Sequence, residues 1–175
     1  MFTKHIVTKE LLPVVHWMFR EIFPETPPCD DGTYDGQFLD DGKRCHYLWK
    51  LTTSDDHEGK FIAMSAIYTE EADPDSLWLG WMGVLPEYRR ERIATRIIND
   101  FLRECRKREY RYARACVSEC NGPESDCLRF NGFSEEKYGG EIPKDILPVN
   151  HTLSIYSKSV DSSECPPWND RKLIF

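Results

Sequence analysis

Four arginines, Arg89, Arg90, Arg92 and Arg96, crowd the stretch VLPEYRRERIATRII, where strand-like patterning gives way to helical patterning. A helix start presents amide N–H groups that lack an intrahelical acceptor, and it carries a partial positive charge, so cations alone are disfavoured there. An anion resolves the conflict. Phosphate or pyrophosphate, held by main-chain amides and guanidinium groups together, is the chemistry this pattern suits, against the plainer reading of a solvated basic helix start. Seven cysteines, at 29, 45, 105, 116, 120, 127 and 165, form no CxxC pair. Small buried thiols are the expectation, with no metal; a site built from Cys116, Cys120 and a distant histidine is the alternative.

The elements that must position these residues alternate between strand and helix. His5 to Thr8 reads as a short strand, and Thr8 can cap a helix that runs to about Phe23, with Leu12, Val15, Phe19 and Ile22 on one stripe. Pro13 can delay its start to near Leu12, because proline is tolerated only in a first turn. The following segment, PETPPCDDGTYDGQFLDDGKR, reads as an acidic surface loop with at most one short helix. Cys45–Thr52 and Lys60–Thr69 form a hairpin across TSDDHEG. Leu77–Val84 is a further strand containing Gly80 and Gly83, which mark a bulge or the close approach of another backbone or ligand. From Glu87 the period is helical, with Ile93, Ile97, Ile98, Phe101, Leu102 and Cys105 on one face. Strand Tyr112–Val117, helix Pro123–Phe130, strand Phe133–Tyr138 and strand His151–Lys158 complete the series. The class is α+β around one mixed or antiparallel sheet.

With 175 residues the chain suits one core, and by surface-to-volume scaling it buries roughly 70% of its unfolded surface. Hydrophobic residues at 40% and charged residues at 30% exclude a disordered chain, and no apolar run suits a membrane span. The start lacks a signal-peptide layout, so a cytoplasmic location is expected. Net charge is −7, which argues against nucleic acid as the main partner. Its distribution is uneven: Glu21 to Ser76 holds 14 acidic and 4 basic residues, whereas Glu87 to Tyr112 holds 9 basic and 5 acidic. An anionic ligand fits the basic segment and a cationic one the acidic segment.

VLPEYRRERIATRII resembles the acyl-CoA-binding signature of the GNAT acyltransferase superfamily, with Arg89 at its first position and Ala94 at its last. Arg92 stands where the signature has its middle glycine. NGPESDCLRFNGF resembles the family's Asn-x-Pro-Ala helix ending in Gly-Phe, through Asn121, Pro123, Gly132 and Phe133. The resemblance implies a GNAT-like three-layer domain over residues 1–160, followed by a tail of residues 161–175. Its single mixed, mostly antiparallel sheet of six to seven strands would be flanked by about four helices and would splay between the fourth and fifth strands. It implies acetyl-CoA as cosubstrate, with the diphosphate at Arg89, Arg90, Glu91, Arg92, Ile93, Ala94 and Thr95. The pantetheine would lie against Met82, Gly83 and Val84, and Asn121 would reach it or serve as a plain turn residue.

The activity so implied is direct acyl transfer from a thioester to an amine, of a small molecule or of a protein lysine or N-terminus. An amine with a lysine-like pKa of about 10.4 must lose a proton before it can attack, the oxyanion needs a donor from the fourth strand, and the thiolate can be protonated by an acid. The tyrosine that relatives use as that acid is replaced by Leu128, which leaves Ser125, Cys127 or Tyr138. The fourth strand carries Trp78 and Trp81 where relatives often have a carboxylate. For the base, Glu70 and Asp35 rank first, ahead of Glu71, Asp73, Asp75, Asp30 and Asp31; each also fits a solvated loop. His151 and His46 read as strand-end and core-edge residues. Trp78, Trp81, Trp49 and Tyr47 are core or groove walls, or an aromatic face for a cationic acceptor. The apolar end, KLIF, can pack on the domain or on a second subunit of a homodimer. The rival reading is a GNAT-like CoA-binding or protein-interaction module without catalysis, which Arg92, Leu128 and the missing strand carboxylate favour.

Overall fold

The computed structural model describes residues 1–24, 35–118, 121–140, 152–161 and 164–168. The strands are β1 (Phe2–Ile6), β2 (Arg44–Leu51), β3 (Lys60–Glu70), β4 (Asp73–Val84), β5 (Tyr112–Ser118), β6 (Ser134–Lys137) and β7 (Leu153–Ser159). The helices are α1 (Leu12–Ile22), α2 (Asp35–Phe38), α3 (Ile93–Lys107) and α4 (Gly122–Phe130). The strands form one seven-stranded sheet in the order β1-β2-β3-β4-β5-β7-β6. β4 and β5 run parallel, whereas β1–β2, β2–β3, β5–β7 and β6–β7 are antiparallel. The β4–β5 register runs from Ser76↔Tyr112 to Leu79↔Ala115, and both strands continue beyond it, to Val84 and Ser118. This is the mixed α+β sheet that the sequence implies.

Two compact units divide the chain: residues 1–68 with 81–96, and residues 69–80 with 97–175. In the first unit Pro13 sits in the opening turn of α1, and a 3-10 turn at Lys9–Leu11 precedes it, as the proline rule requires. Val15, Met18, Phe19 and Ile22 carry the buried face of α1 and share a core with Val7, Phe38, Leu48, Met64 and Leu85. The first strand lies earlier than its sequence pattern suggests, at Phe2–Ile6, because it is defined by its ladder to β2, Phe2↔Leu51 through Ile6↔Tyr47. Phe2 stacks on Trp49, whose indole N–H donates to Ser65 Oγ at 2.9 Å, so Trp49 is a core residue.

His46 on β2 is 1% exposed, and neither ring nitrogen has a hydrogen-bond partner among the described residues. Burial, reinforced by the Arg44 charge, pushes its pKa down to about 4. The unfolded chain therefore takes up a proton below about pH 6.5 while the folded one does not, and stability falls as pH drops from there toward 4. Between pH 7 and pH 5 this amounts to about 2 kcal/mol. Urea unfolding should show that loss in the wild type and a clearly smaller one in His46→Phe; equal losses would contradict it.

In the second unit α4 begins and ends with the groups its motif supplies. Asn121 caps it, accepting the Glu124 N–H at 3.4 Å, and Pro123 lies in the first turn. At the other end Gly132 adopts φ +80°, its N–H bonds Arg129 C=O at 2.9 Å, and Phe133 N–H bonds Leu128 C=O at 3.1 Å. That is a Schellman closure, and the buried pair Leu128 and Phe133 supplies its apolar contact. The Gly-Phe pair is thus a helix stop.

A buried ionic cluster organises the rest of this unit. Arg114 on β5 is 0% exposed and donates from Nε to Asp73 Oδ2 at 2.7 Å and to Ser76 Oγ at 3.2 Å. It also donates to Ser157 Oγ and, at 3.2 Å, to the Pro166 carbonyl. Two residues on, Trp168 lies under the guanidinium at 5.5 Å and meets Trp78 edge-on at 4.9 Å. Trp78 is therefore core, and Asp73 is a structural partner rather than a candidate base. The KLIF end lies outside the described residues.

Candidate active site

The basic turn follows from how β4 ends. Leu85 N–H bonds Ile62 C=O at 2.9 Å, a 3-10 turn spans Pro86–Tyr88, and Arg89 donates from Nε to the Val84 carbonyl at 3.0 Å. Arg89 thereby ties the turn to the strand. Arg90 (φ +66°) and Arg92 (φ +58°) both adopt the left-handed conformation that favours glycine, which is why α3 starts at Ile93 and not at Glu87. Arg92 C=O accepts the first intrahelical bond, from Arg96 N–H at 3.1 Å, so the amides of Ile93, Ala94 and Thr95 have no intrahelical acceptor. The first turn of α3 contains no acid, and the Arg96 guanidinium lies over the Phe2 ring at 5.8 Å.

The backbone at position 92 is the one a glycine signature demands, occupied by an arginine. A left-handed non-glycine residue costs about 1–2 kcal/mol, whereas glycine adds entropy to the unfolded chain worth about 0.4–1 kcal/mol. Arg92→Gly should accordingly be neutral or stabilising by up to about 1.5 kcal/mol in urea unfolding. A loss above about 1 kcal/mol would show that the arginine side chain holds the turn.

On β4 the left-handed residue is Trp81, at φ +47°, lying between the two glycines expected to mark a bulge. Gly83 serves a close approach instead, because a Cβ there would collide with Ile22 Cγ2 and lie 3.0 Å from Phe23 Cζ; its absence lets the end of α1 come up to the strand. Trp81 is 43% exposed and packs on Phe19 (5.0 Å between ring centroids) and Phe23 (5.8 Å). Phe38 of α2 extends this aromatic wall through Phe19 at 5.9 Å and His16 at 6.0 Å. Met82 and Val84 of the same strand segment are buried.

Asp35, one of the two leading candidate bases, opens α2, and its Oδ1 lies 2.8 Å from His16 Nε2, in close contact but outside hydrogen-bond alignment. Nothing in the sequence signals this pair, because it joins two helices across the acidic loop. The other leading candidate, Glu70, ends β3 in the second unit, buried and engaged with partners. Tyr138 follows β6 there, buried, with its N–H on Leu153 C=O at 2.8 Å. Asp30, Asp31, Cys120 and His151 lie outside the described residues.

Asn121, the cap of α4, also donates from Nδ2 to Glu124 Oε2 at 2.6 Å, so both ends of its amide serve the helix. Burial pushes the Glu124 carboxyl up to about 8 although its side chain keeps some solvent contact, and it pushes the nearby Cys116 thiol up to about 12. Cys116 therefore stays a protonated thiol at neutral pH. Glu124 was findable, since it occupies the alanine position of the Asn-x-Pro-Ala pattern. Ser125, buried, bonds the Tyr156 hydroxyl, and Leu128 is fully buried in the core.

A family model described as "Acetyltransferase (GNAT) family" matches residues 12–133. No curated protein matches the sequence. Among solved structures, the ribosomal-protein-S18-alanine N-acetyltransferase from Escherichia coli superposes with a TM-score of 0.68 at 14% identity, covering 94% of this chain and 97% of that one. An acetyltransferase from Thermus thermophilus superposes at 0.71 with 17% identity, covering 91% and 97%. A spermidine N-acetyltransferase SpeG chimera from Vibrio cholerae and hSSAT superposes at 0.71 with 14% identity, covering 91% and 95%. At these identities the likeness is one of fold.

Proposed function

Because the chain belongs to the acetyltransferase (GNAT) family, we propose that it transfers an acetyl group from acetyl-CoA to a cationic amine by direct attack of the amine on the thioester. The observation that carries this reading is the turn ahead of α3: two left-handed arginines lead into the amides of Ile93, Ala94 and Thr95, among guanidinium groups, and the first turn of the helix contains no acid. Such a cradle suits a diphosphate and fits the CoA group. Acetyl-CoA supplies the acyl group already activated as a thioester. Met82, Gly83 and Val84 lie just before the turn, where main-chain groups can orient the pantetheine; one of their carbonyls, that of Val84, accepts from Arg89.

A cationic acceptor is supported by the aromatic wall of Trp81 and Phe23 and by the excess of acids that the sequence carries between Glu21 and Ser76. Two of the structures with this fold are named for amine acceptors, an alanine of a ribosomal protein and spermidine. A second reading, a CoA-binding module without turnover, is favoured by Leu128, since a fully buried leucine cannot protonate a thiolate. Release of free thiol from acetyl-CoA separates the two. Spermidine, an alanine-initiated peptide and a lysine peptide are offered as acceptors. Turnover above the rate without amine is expected for at least one; CoA binding without turnover would favour the module.

A further inference from the structure

The base is the piece of the reaction that the fourth strand does not supply, and the first unit holds one pair of side chains arranged for it. We propose that His16 takes the acceptor's proton and that Asp35 positions its ring, an inference that rests on the acetyl-transfer reading above. Asp35 Oδ1 lies 2.8 Å from His16 Nε2, while Nδ1 has no partner among the described residues and the side chain remains 16% exposed. One nitrogen thus faces a carboxylate and the other is unpartnered among the described residues, which is the division of labour a histidine base needs.

Placement favours the same pair. His16 sits one turn before Phe19 on α1, on the face whose next member touches the Trp81 ring at 5.0 Å. Trp81 is the left-handed residue of β4, just ahead of the segment assigned to the pantetheine. Phe38 packs against the His16 ring and restricts its swing. The other imidazole on this aromatic wall, His46, cannot serve, because it is sealed in the core and burial disfavours its protonation.

The ammonium of the acceptor gives one proton to Nδ1, directly or through a water. The freed nitrogen lone pair attacks the thioester carbonyl carbon, the C–N bond forms, and the C–S bond breaks with its electron pair on sulfur. The second nitrogen proton neutralises that thiolate, and His16 returns its proton to solvent.

Thiol release with the three amines, measured for wild type, His16→Ala, His16→Gln and Asp35→Asn together with CoA binding by thermal shift, tests the assignment. Both His16 variants should lose about 100-fold or more in kcat with KM for acetyl-CoA within threefold. Added imidazole should restore His16→Ala at least tenfold and leave Asp35→Asn unchanged; Asp35→Asn should itself lose about tenfold or more in kcat. Variants that keep kcat within threefold, or that lose it without imidazole rescue, overturn the assignment while leaving the transferase reading intact. A wild type that binds CoA yet acetylates none of the amines overturns both.

Discussion

Asp73→Ala should destabilise the protein by about 3–5 kcal/mol, because it leaves the Arg114 guanidinium buried without its carboxylate. Arg114 has no exposed surface, and its 2.7 Å bond to Asp73 is charge-assisted, so water cannot replace the lost partner without opening the unit. A loss of that size is a large share of the 5–15 kcal/mol that holds a typical domain. The double variant Asp73→Ala/Arg114→Met removes both charges and should recover part of the loss, since an apolar replacement of a buried pair is often neutral or better. Urea unfolding of the two variants decides it: a single variant within about 1 kcal/mol of wild type, or a double variant worse than the single, would contradict the assigned role.

Trp168→Ala should cost a comparable amount, about 3–5 kcal/mol, although the residue lies beyond the last strand. Its ring is buried edge-on against Trp78 at 4.9 Å and stacks under Arg114 at 5.5 Å, while its backbone N–H, which the alanine variant keeps, donates to Glu136 Oε2 at 2.6 Å. Truncation leaves a cavity beside the ion pair. Because the two sites touch, losses from Trp168→Ala and Asp73→Ala should not add. Thermal unfolding with Trp168→Phe as control should retain most of the stability. A cost below about 1 kcal/mol for the alanine variant would mean that the segment from Glu164 to Trp168 is not held as described.

The parts of this molecule that local chemistry determines were legible in the sequence. Pro13 delays α1, Asn121 and Pro123 open α4, Gly132 and Phe133 close it, and the apolar period of α3 buries Ile97, Ile98, Phe101 and Cys105. Long-range pairings were not. Asp73 and Arg114 stand 41 positions apart, and neither carries a mark that distinguishes it from a surface charge. His16 and Asp35 meet only because α1 and α2 do. The backbone hid a different fact: alternation assigns Trp78 and Trp81 to opposite faces but does not reveal that Trp81 turns left-handed, nor that the glycine two residues later serves the approach of Ile22.

The proposed acetyl transfer stands on one proposed contact, a grip of the start of α3 on the diphosphate of CoA. Unfolding in urea with CoA at a hundred times its dissociation constant should show about 2.7 kcal/mol of added stability. Pantetheine at the same concentration, lacking the diphosphate, should add little. No shift with CoA, or an equal shift with pantetheine, would contradict that grip.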